Sequence, residues 1–304
     1  MAAPRVALAP DGAPGWVARA ITDGGGVLVE PAEADALVWF GALEPERLAP
    51  VLDEAAGARW VQLPWAGVEP YASLIGPDRT WTCGKGVYAE PVAEHALGLM
   101  LAGLRDLPER VRAERWGRQG GVSLYGGKVT VLGGGGITEA LLGLLAPFRC
   151  EVTVVRRSSA AMAGTARVVG LEALHEVLPG ADAVVLALAF TPETIGLIGA
   201  GELALMEGHA WLVNVARGGH VVTDDLVAAL RERSIGGAAL DVTEPEPLPD
   251  GHPLWGLSNC LITPHTANTL AMARPHLVKR IRENVRRFAA GEELIGLVDP
   301  ELGY

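Results

Sequence analysis

Three residues late in the chain could together reduce a carbonyl that sits beside a carboxylate: Arg217 in NVARGG (214–219), Glu246 in LDVTEPEP (240–247) and His265 in TPHTAN (263–268). An arginine grips a planar carboxylate through two parallel hydrogen bonds. A histidine with one ring nitrogen on a carboxylate can give or take a proton near neutrality with the other. That is the equipment an α-keto acid reduction needs. Singly, each residue has a plainer reading: Arg217 tied to Asp224 in its loop, Glu246 as a surface carboxylate in a proline-rich turn, His265 as a hydrogen-bonded loop histidine. Their shared setting favours the chemical reading. Each follows an apolar run of the kind that forms a buried parallel strand, WLVNV, GGAALDV and CLIT, and ligands bind beyond the carboxyl ends of such strands. The other histidines lack that setting: His95 falls in a helical pattern, His209 before a strand and His252 in DGHPLW.

The strands that must carry these motifs belong to a longer series. From Gly127 onward KVTVL, EVTVV, AVVLALA, WLVNV, AALDV and CLIT alternate with helical stretches, which predicts a doubly wound parallel sheet. GGGGIT (133–138) follows the first of these strands and opens the helix TEALLGLLAPF, the strand–turn–helix context of a dinucleotide fingerprint. Gly133 would make the tight turn, and Gly135, Gly136 and Ile137 would bring backbone N–H groups at the helix start up to a pyrophosphate. Thr138 stands where a third glycine is usual, and its branched side chain should push the helix slightly off the strand.

Ahead of this series, residues 1–90 alternate short strands (VALA at 6–9, ALVWF at 36–40, RWVQL at 59–63) with turns and short helices, a small α/β unit. A helical pattern runs from Pro91 through Leu104. Another, from Thr269 to Ala290, carries Leu277, Ile281, Val285 and Phe288 on one face and ends at Gly291.

With the ordered set EPVAEHALGLML (90–101), GGGGIT, TPET (191–194), NVARGG, DVTEPEP and TPH, the chain resembles the D-isomer-specific 2-hydroxyacid dehydrogenase family over nearly its whole length. The resemblance implies a Rossmann-type domain at 93–269 inserted into a smaller flavodoxin-like α/β substrate domain made of 1–92 plus 270–304. It makes His265 the general acid and Glu246 the partner that orients the imidazole and favours its protonated form, with Arg217 holding the substrate carboxylate and carbonyl. It places Asp241 against the nicotinamide carboxamide, and it turns the backbone N–H groups of Ala66, Gly67 and Val68 in LPWAGVEP (63–70) toward the substrate carboxylate. Trp39, Trp65, Tyr88 and Trp255 would wall the pocket, though Trp39 and Tyr88 read equally as core. The segment at about 95–125 would build a homodimer.

The cofactor follows from the end of EVTVVRRS. Arg156 occupies the position at which NAD-preferring members carry an acidic residue for the ribose 2′-hydroxyl, and with Arg157 and Ser158 it suits a 2′-phosphate. NADPH is therefore expected in preference to NADH. The expected activity is reduction of a small 2-ketoacid, of the glyoxylate or hydroxypyruvate kind, to a D-2-hydroxyacid. Rival readings are a non-catalytic NAD(P)-sensing protein of the corepressor kind, formate or phosphite dehydrogenase, and phosphoglycerate dehydrogenase, which is set back because no regulatory domain follows Tyr304.

Bulk properties narrow the alternatives. A length of 304 residues suggests two domains, and 49% hydrophobic residues can fill two cores. A net charge of −11 disfavours a nucleic-acid partner, and the arginines at 105, 110, 112, 115 and 118 around Trp116 read as a solvated helix and loop or a subunit contact. Cys83, Cys150 and Cys260 have neither disulfide nor zinc spacing, so no metal is expected. The start MAAPRVALAPDG has no signal-peptide core, and ALGLMLAGL (96–104) is about half the ~20 residues of a membrane span. A cytoplasmic, membrane-free protein is the expectation.

Overall fold

Every pairing between named strands is parallel in the computed structural model, which describes residues 3–41, 44–158 and 160–300. By its contacts the chain divides into two units, Met1–Tyr88 with Thr269–Tyr304, and Ala89–Asn268.

The first unit has strands β1 (Arg5–Ala9), β2 (Val27–Leu28), β3 (Ala36–Trp39), β4 (Trp60–Gln62) and β5 (Thr80–Thr82) in the order β2-β1-β3-β4-β5, the flavodoxin-like order. Every residue of β3 and β4 is buried, as in strands covered on both faces. Helices α1 (Gly15–Asp23) and α2 (Pro45–Glu54) follow β1 and β3, and the terminal helix Leu270–Ala290 packs against α1. That helix starts at Thr269, whose hydroxyl accepts from Met272 N at 3.4 Å, and stops at Gly291, left-handed at φ 69°. Its buried face repeats at helical spacing through Ala273, Leu277, Ile281 and Val285, with Asn284 buried beside them. Asn284 Nδ2 donates to Gln62 Oε1 and Ile295 O, both at 2.9 Å, so a polar residue in the core has its partners and joins the chain's end to β4.

The second unit carries β6 (Lys128–Leu132), β7 (Glu151–Val155), β8 (Arg167–Val169), β9 (Ala183–Leu186), β10 (Trp211–Asn214), β11 (Gly237–Leu240) and β12 (Cys260–Ile262) in the order β12-β11-β10-β9-β6-β7-β8. The chain winds outward in both directions from β6, the Rossmann-type arrangement, and the switch between β6 and β9 opens a crevice at their carboxyl ends. Six strands are expected from the sequence and seven form. The extra one, β8, has only three residues at the sheet edge, too short for an apolar run to reveal. Burial on both faces anchors β6 inside the sheet: Val129, Val131 and Leu132 are buried, each contributing about 1.5–3 kcal/mol against about 1 kcal/mol for a ladder hydrogen bond.

The helices of this unit are α3 (Ala89–Leu104), α4 (Leu107–Arg110), α5 (Gly136–Leu145), α6 (Leu174–Val177), α7 (Ala200–Leu205) and α8 (Thr223–Glu232). α3 packs on α5 and on β9, β10 and β11. Among the described residues no helix is long and apolar enough to cross a membrane, and no group of three or more His, Cys, Asp or Glu is placed to hold a metal ion.

Candidate active site

Strand register sets the site. Asn214 pairs with Leu240 and Leu240 with Ile262, so β10, β11 and β12 end in one row and the three motifs leave the sheet from the same edge. From that edge the chain reaches Arg217 after three residues, Glu246 after six and His265 after three.

The arginine turn is shaped by the asparagine that opens its motif. Asn214 Nδ2 donates to Arg217 O at 2.9 Å and its Oδ1 accepts from Ala216 N at 3.0 Å, which folds NVAR back on itself. Arg217 is half-buried, and its Nη1 donates to Ala216 O at 2.7 Å. Gly218 must be glycine, because a Cβ there would stand 2.0 Å from the carbonyl of Thr243. That absence of a side chain lets the arginine turn lie directly on the DVTEPEP turn, where Thr223 Oγ1 also donates to Glu244 O at 2.7 Å.

His265 and Glu246 form the pair the motifs predict, with Nδ1 2.6 Å from Glu246 Oε1. An ionised carboxylate only accepts, so Nδ1 carries the hydrogen and Nε2 is left for another partner. Both side chains are exposed, 54% for the imidazole and 40% for the carboxylate, so the pair is open to solvent and to a ligand. His265 has φ 48°, a left-handed conformation that costs a non-glycine residue roughly 1–2 kcal/mol and persists where the surroundings impose it.

Asp241 imposes it. The His265 amide donates to Asp241 O at 2.8 Å, and the Asp241 carboxylate accepts from Thr263 Oγ1 at 2.6 Å, Thr266 N at 2.9 Å and Ala267 N at 3.0 Å. This is turn-capping geometry, with one carboxylate gathering a hydroxyl and two amides of the next motif. Asp241 is 2% exposed. Burial opposes its ionisation, but the hydrogen bonds from His95, Thr263, Thr266 and Ala267 prevail and hold its carboxyl below the usual range. A carboxyl depressed in the folded state adds stability above its unfolded value, near pH 4, and loses it as pH falls through the lower folded value. The stability gap between the parent and Asp241→Asn, measured by urea unfolding, should therefore be widest near neutrality and shrink below about pH 4. A gap independent of pH would exclude this linkage.

At the switch point Gly133 has φ 111°, and a Cβ on it would stand 2.1 Å from Ala187 O, so both backbone shape and crowding require glycine. Gly135, the N-cap of α5, would meet nothing within 4 Å. A bare helix start facing open space with its first N–H groups is a cradle for a phosphate, and the residues Gly133, Gly135, Gly136 and Ile137 fit a dinucleotide. Thr138 is fully buried, and its hydroxyl donates to Gly133 O at 2.9 Å, so it bonds the helix to the turn.

Arg156 lies across the glycine turn, since a Cβ on Gly134 would stand 2.3 Å from Arg156 Cδ. Its Nε donates to Ser158 O at 2.8 Å and its Nη2 to Ala160 O at 2.5 Å, while Arg157 and Ser158 are exposed. The guanidinium thus organises the loop after β7 as well as presenting charge.

In the other unit, Ala66 is exposed, Gly67 half-buried and Val68 buried, so of the three Ala66 and Gly67 are the more accessible. Tyr88 donates its hydroxyl hydrogen to Pro64 O and Gly84 N donates to Trp65 O at 2.8 Å, pinning the 63–70 loop. Trp39 belongs to the core, 1% exposed with Nε1 donating to Tyr71 OH at 3.1 Å, and Tyr88 is buried too; neither is free to wall a pocket. Trp65 is half-buried and donates to Gly41 O at 3.3 Å. Trp255, in the larger unit, is 48% exposed and donates to Pro249 O at 3.0 Å. The three thiols are free, and burial pushes each upward, Cys260 to about 12, which favours the neutral thiol over the thiolate.

The family model described as D-isomer specific 2-hydroxyacid dehydrogenase, NAD binding domain, matches residues 97–267. The chain is 37% identical over 294 residues to the "uncharacterized protein in proB 3′ region" of Corynebacterium melassecola, covering 94% of this chain and 95% of that one. It is 33% identical over 228 residues to the glyoxylate reductase of Pyrococcus furiosus, covering 71% and 68% of the two chains. The solved structure of a D-isomer specific 2-hydroxyacid dehydrogenase from Xanthobacter autotrophicus Py2, in complex with NADPH and MES, is similar with a TM-score of 0.87 at 31% identity, covering 100% of both chains.

Proposed function

Since the chain belongs to the D-isomer-specific 2-hydroxyacid dehydrogenase family, an NAD(P)-dependent group of enzymes, we propose that it reduces a small 2-ketoacid of the glyoxylate or hydroxypyruvate kind to the D-2-hydroxyacid, with NADPH preferred over NADH. The observation that carries this reading is the His265–Glu246 pair at 2.6 Å, on a turn that leaves the sheet edge in register with the Arg217 turn. Bound nicotinamide supplies the hydride. Arg217 grips the substrate carboxylate with its planar fork and so orients the carbonyl. His265 gives the Nε2 proton to the carbonyl oxygen and recovers one from solvent, to which its ring is open. Glu246 accepts from Nδ1 and fixes the plane of the ring. The backbone groups of Ala66, Gly67 and Val68 are of the kind that serve a carboxylate. A homodimer is part of the same proposal.

The NADPH preference rests on Arg156. Its stem lies on the glycine turn and no acidic residue stands in its place, whereas a carboxylate there would repel a 2′-phosphate. The NADPH complex of the Xanthobacter relative supports the same choice. A charge-assisted hydrogen bond contributes about 1.5–3 kcal/mol, equivalent to roughly a 10–150-fold preference. Arg156→Asp combined with Arg157→Ala should weaken NADPH by about that factor and recover part of the NADH activity. Rates with glyoxylate, hydroxypyruvate and pyruvate under each cofactor test both claims together. No turnover with any 2-ketoacid would remove the catalytic reading, and equal efficiency with NADH in the parent would remove the cofactor preference.

A further inference from the structure

The carboxylate that shapes the His265 turn has a partner on a distant helix. His95, on α3, places Nε2 3.0 Å from Thr263 Oγ1 and 3.3 Å from Asp241 Oδ1. Thr263 already donates its single hydroxyl hydrogen to Asp241 at 2.6 Å, so toward His95 it can only accept, as can the carboxylate. Nε2 must therefore carry a hydrogen, shared between the two oxygens. His95 is 24% exposed at its side chain, so the clamp sits at the margin of the buried carboxylate.

We propose that His95 is a positioning residue for His265, acting as the Nε2–H donor that locks the Thr263 hydroxyl and the Asp241 carboxylate in place. The locked carboxylate in turn holds the Thr266 and Ala267 amides, at 2.9 and 3.0 Å, that give the turn its left-handed His265. This inference rests on the reading of His265 as the acid. Its chain of contacts is short: His95 to Thr263 and Asp241, the Asp241 carboxylate to the two amides that follow His265, and the turn to the imidazole on Glu246. Without the donor, Thr263 keeps a hydroxyl that can swing to another rotamer, and Asp241 Oδ1 loses one of the contacts that hold its plane. The turn can then sample conformations in which His265 leaves Glu246. A residue that merely packed α3 onto the sheet would alter stability without selecting these amides.

The test uses the full chain and three substitutions. His95→Ala removes the donor, His95→Gln restores an N–H at nearly the same reach, and Thr263→Val removes the hydroxyl with little change of shape. In His95→Ala, single-turnover reduction of glyoxylate with NADPH should slow about tenfold, with glyoxylate KM and NADPH Kd within about twofold. Hydrogen exchange at the Thr266 and Ala267 amides should accelerate by a similar factor. His95→Gln should recover most of both losses, and His95→Ala with Thr263→Val should be no worse than the poorer single variant, because both break one network. Protected amides and parental turnover in His95→Ala would overturn the proposal, as would failure of His95→Gln to recover either when it folds with the parent's Tm. His265→Asn separates this result from the reading beneath it. Parental turnover there, with loosened amides in His95→Ala, removes the acid and leaves the clamp. Lost turnover there, with both readouts unchanged in His95→Ala, removes the clamp and leaves the acid.

Discussion

His265→Asn should lower turnover by about 10²–10⁴ while leaving NADPH affinity close to that of the parent. The substitution is chosen for what it keeps. Asparagine tolerates the left-handed conformation that His265 adopts at φ 48°, so the turn has no new strain to relieve. Its Nδ2–H can stand in for the Nδ1–H that faces Glu246 Oε1 at 2.6 Å in the parent, so Glu246 keeps a donor. Only the second ring nitrogen is lost, and with it the proton that would reach the carbonyl oxygen. The loss should therefore fall on kcat, because the substrate's carboxylate contact is untouched. Glu246→Gln complements the experiment: it keeps an acceptor for Nδ1–H but removes the charge, and should fall between the parent and His265→Asn. Near-parental turnover in His265→Asn would take His265 out of the mechanism and leave Glu246 as part of the turn.

The legible part of this molecule was the part whose physics is local. An apolar run ending in a polar motif identifies a strand and the loop beyond it, which is why Arg217, Glu246 and His265 could be picked out before their strands were known to end in register. Gly133 was readable for the same reason, since a turn between a strand and a helix demands its φ of 111°. What stayed hidden depends on distance in the chain. The helical pattern accounts fully for His95, and nothing in it points to Thr263, 168 residues away. The bulk of Thr138 beside a glycine turn is plain from its type, whereas the acceptor its hydroxyl finds, Gly133 O, depends on how the helix closes on the turn. Trp39 could not be assigned by alternation, because every residue of β3 is buried and the period of two carries no information in a strand covered on both faces. Asp241 was legible as a residue at a strand end. That its carboxylate gathers the amides of the next motif appears only when β11 and β12 lie side by side.

Arg217→Lys should cost about 10²–10³ in kcat/KM, although the charge is retained. A guanidinium meets a carboxylate through two parallel N–H bonds in one plane, whereas an ammonium is a point charge on a flexible stem. Losing one charge-assisted bond accounts for about 1.5–3 kcal/mol, or roughly 10–150-fold. The remainder comes from position. The fork fixes the carboxylate and the adjoining carbonyl in one orientation, and a misplacement of about 1 Å at the reacting carbon can cost another 10²-fold, so the two factors need not both be complete. Arg217 is suited to this work because its own backbone is fixed: Asn214 holds its carbonyl at 2.9 Å, and Gly218 seats the turn against Thr243. A lysine would inherit that backbone but not the fork, so the variant should fold with the parent's stability. KM should rise and kcat should fall together, a pattern distinct from His265→Asn, where kcat carries the loss. Asn214→Ala offers an internal comparison. It frees the turn while leaving the guanidinium intact, and should resemble a milder Arg217→Lys because the fork is present but no longer held. Parental kcat/KM in Arg217→Lys, with a normal rate across 2-ketoacids, would mean that the substrate carboxylate is bound elsewhere and that Arg217 serves the turn alone.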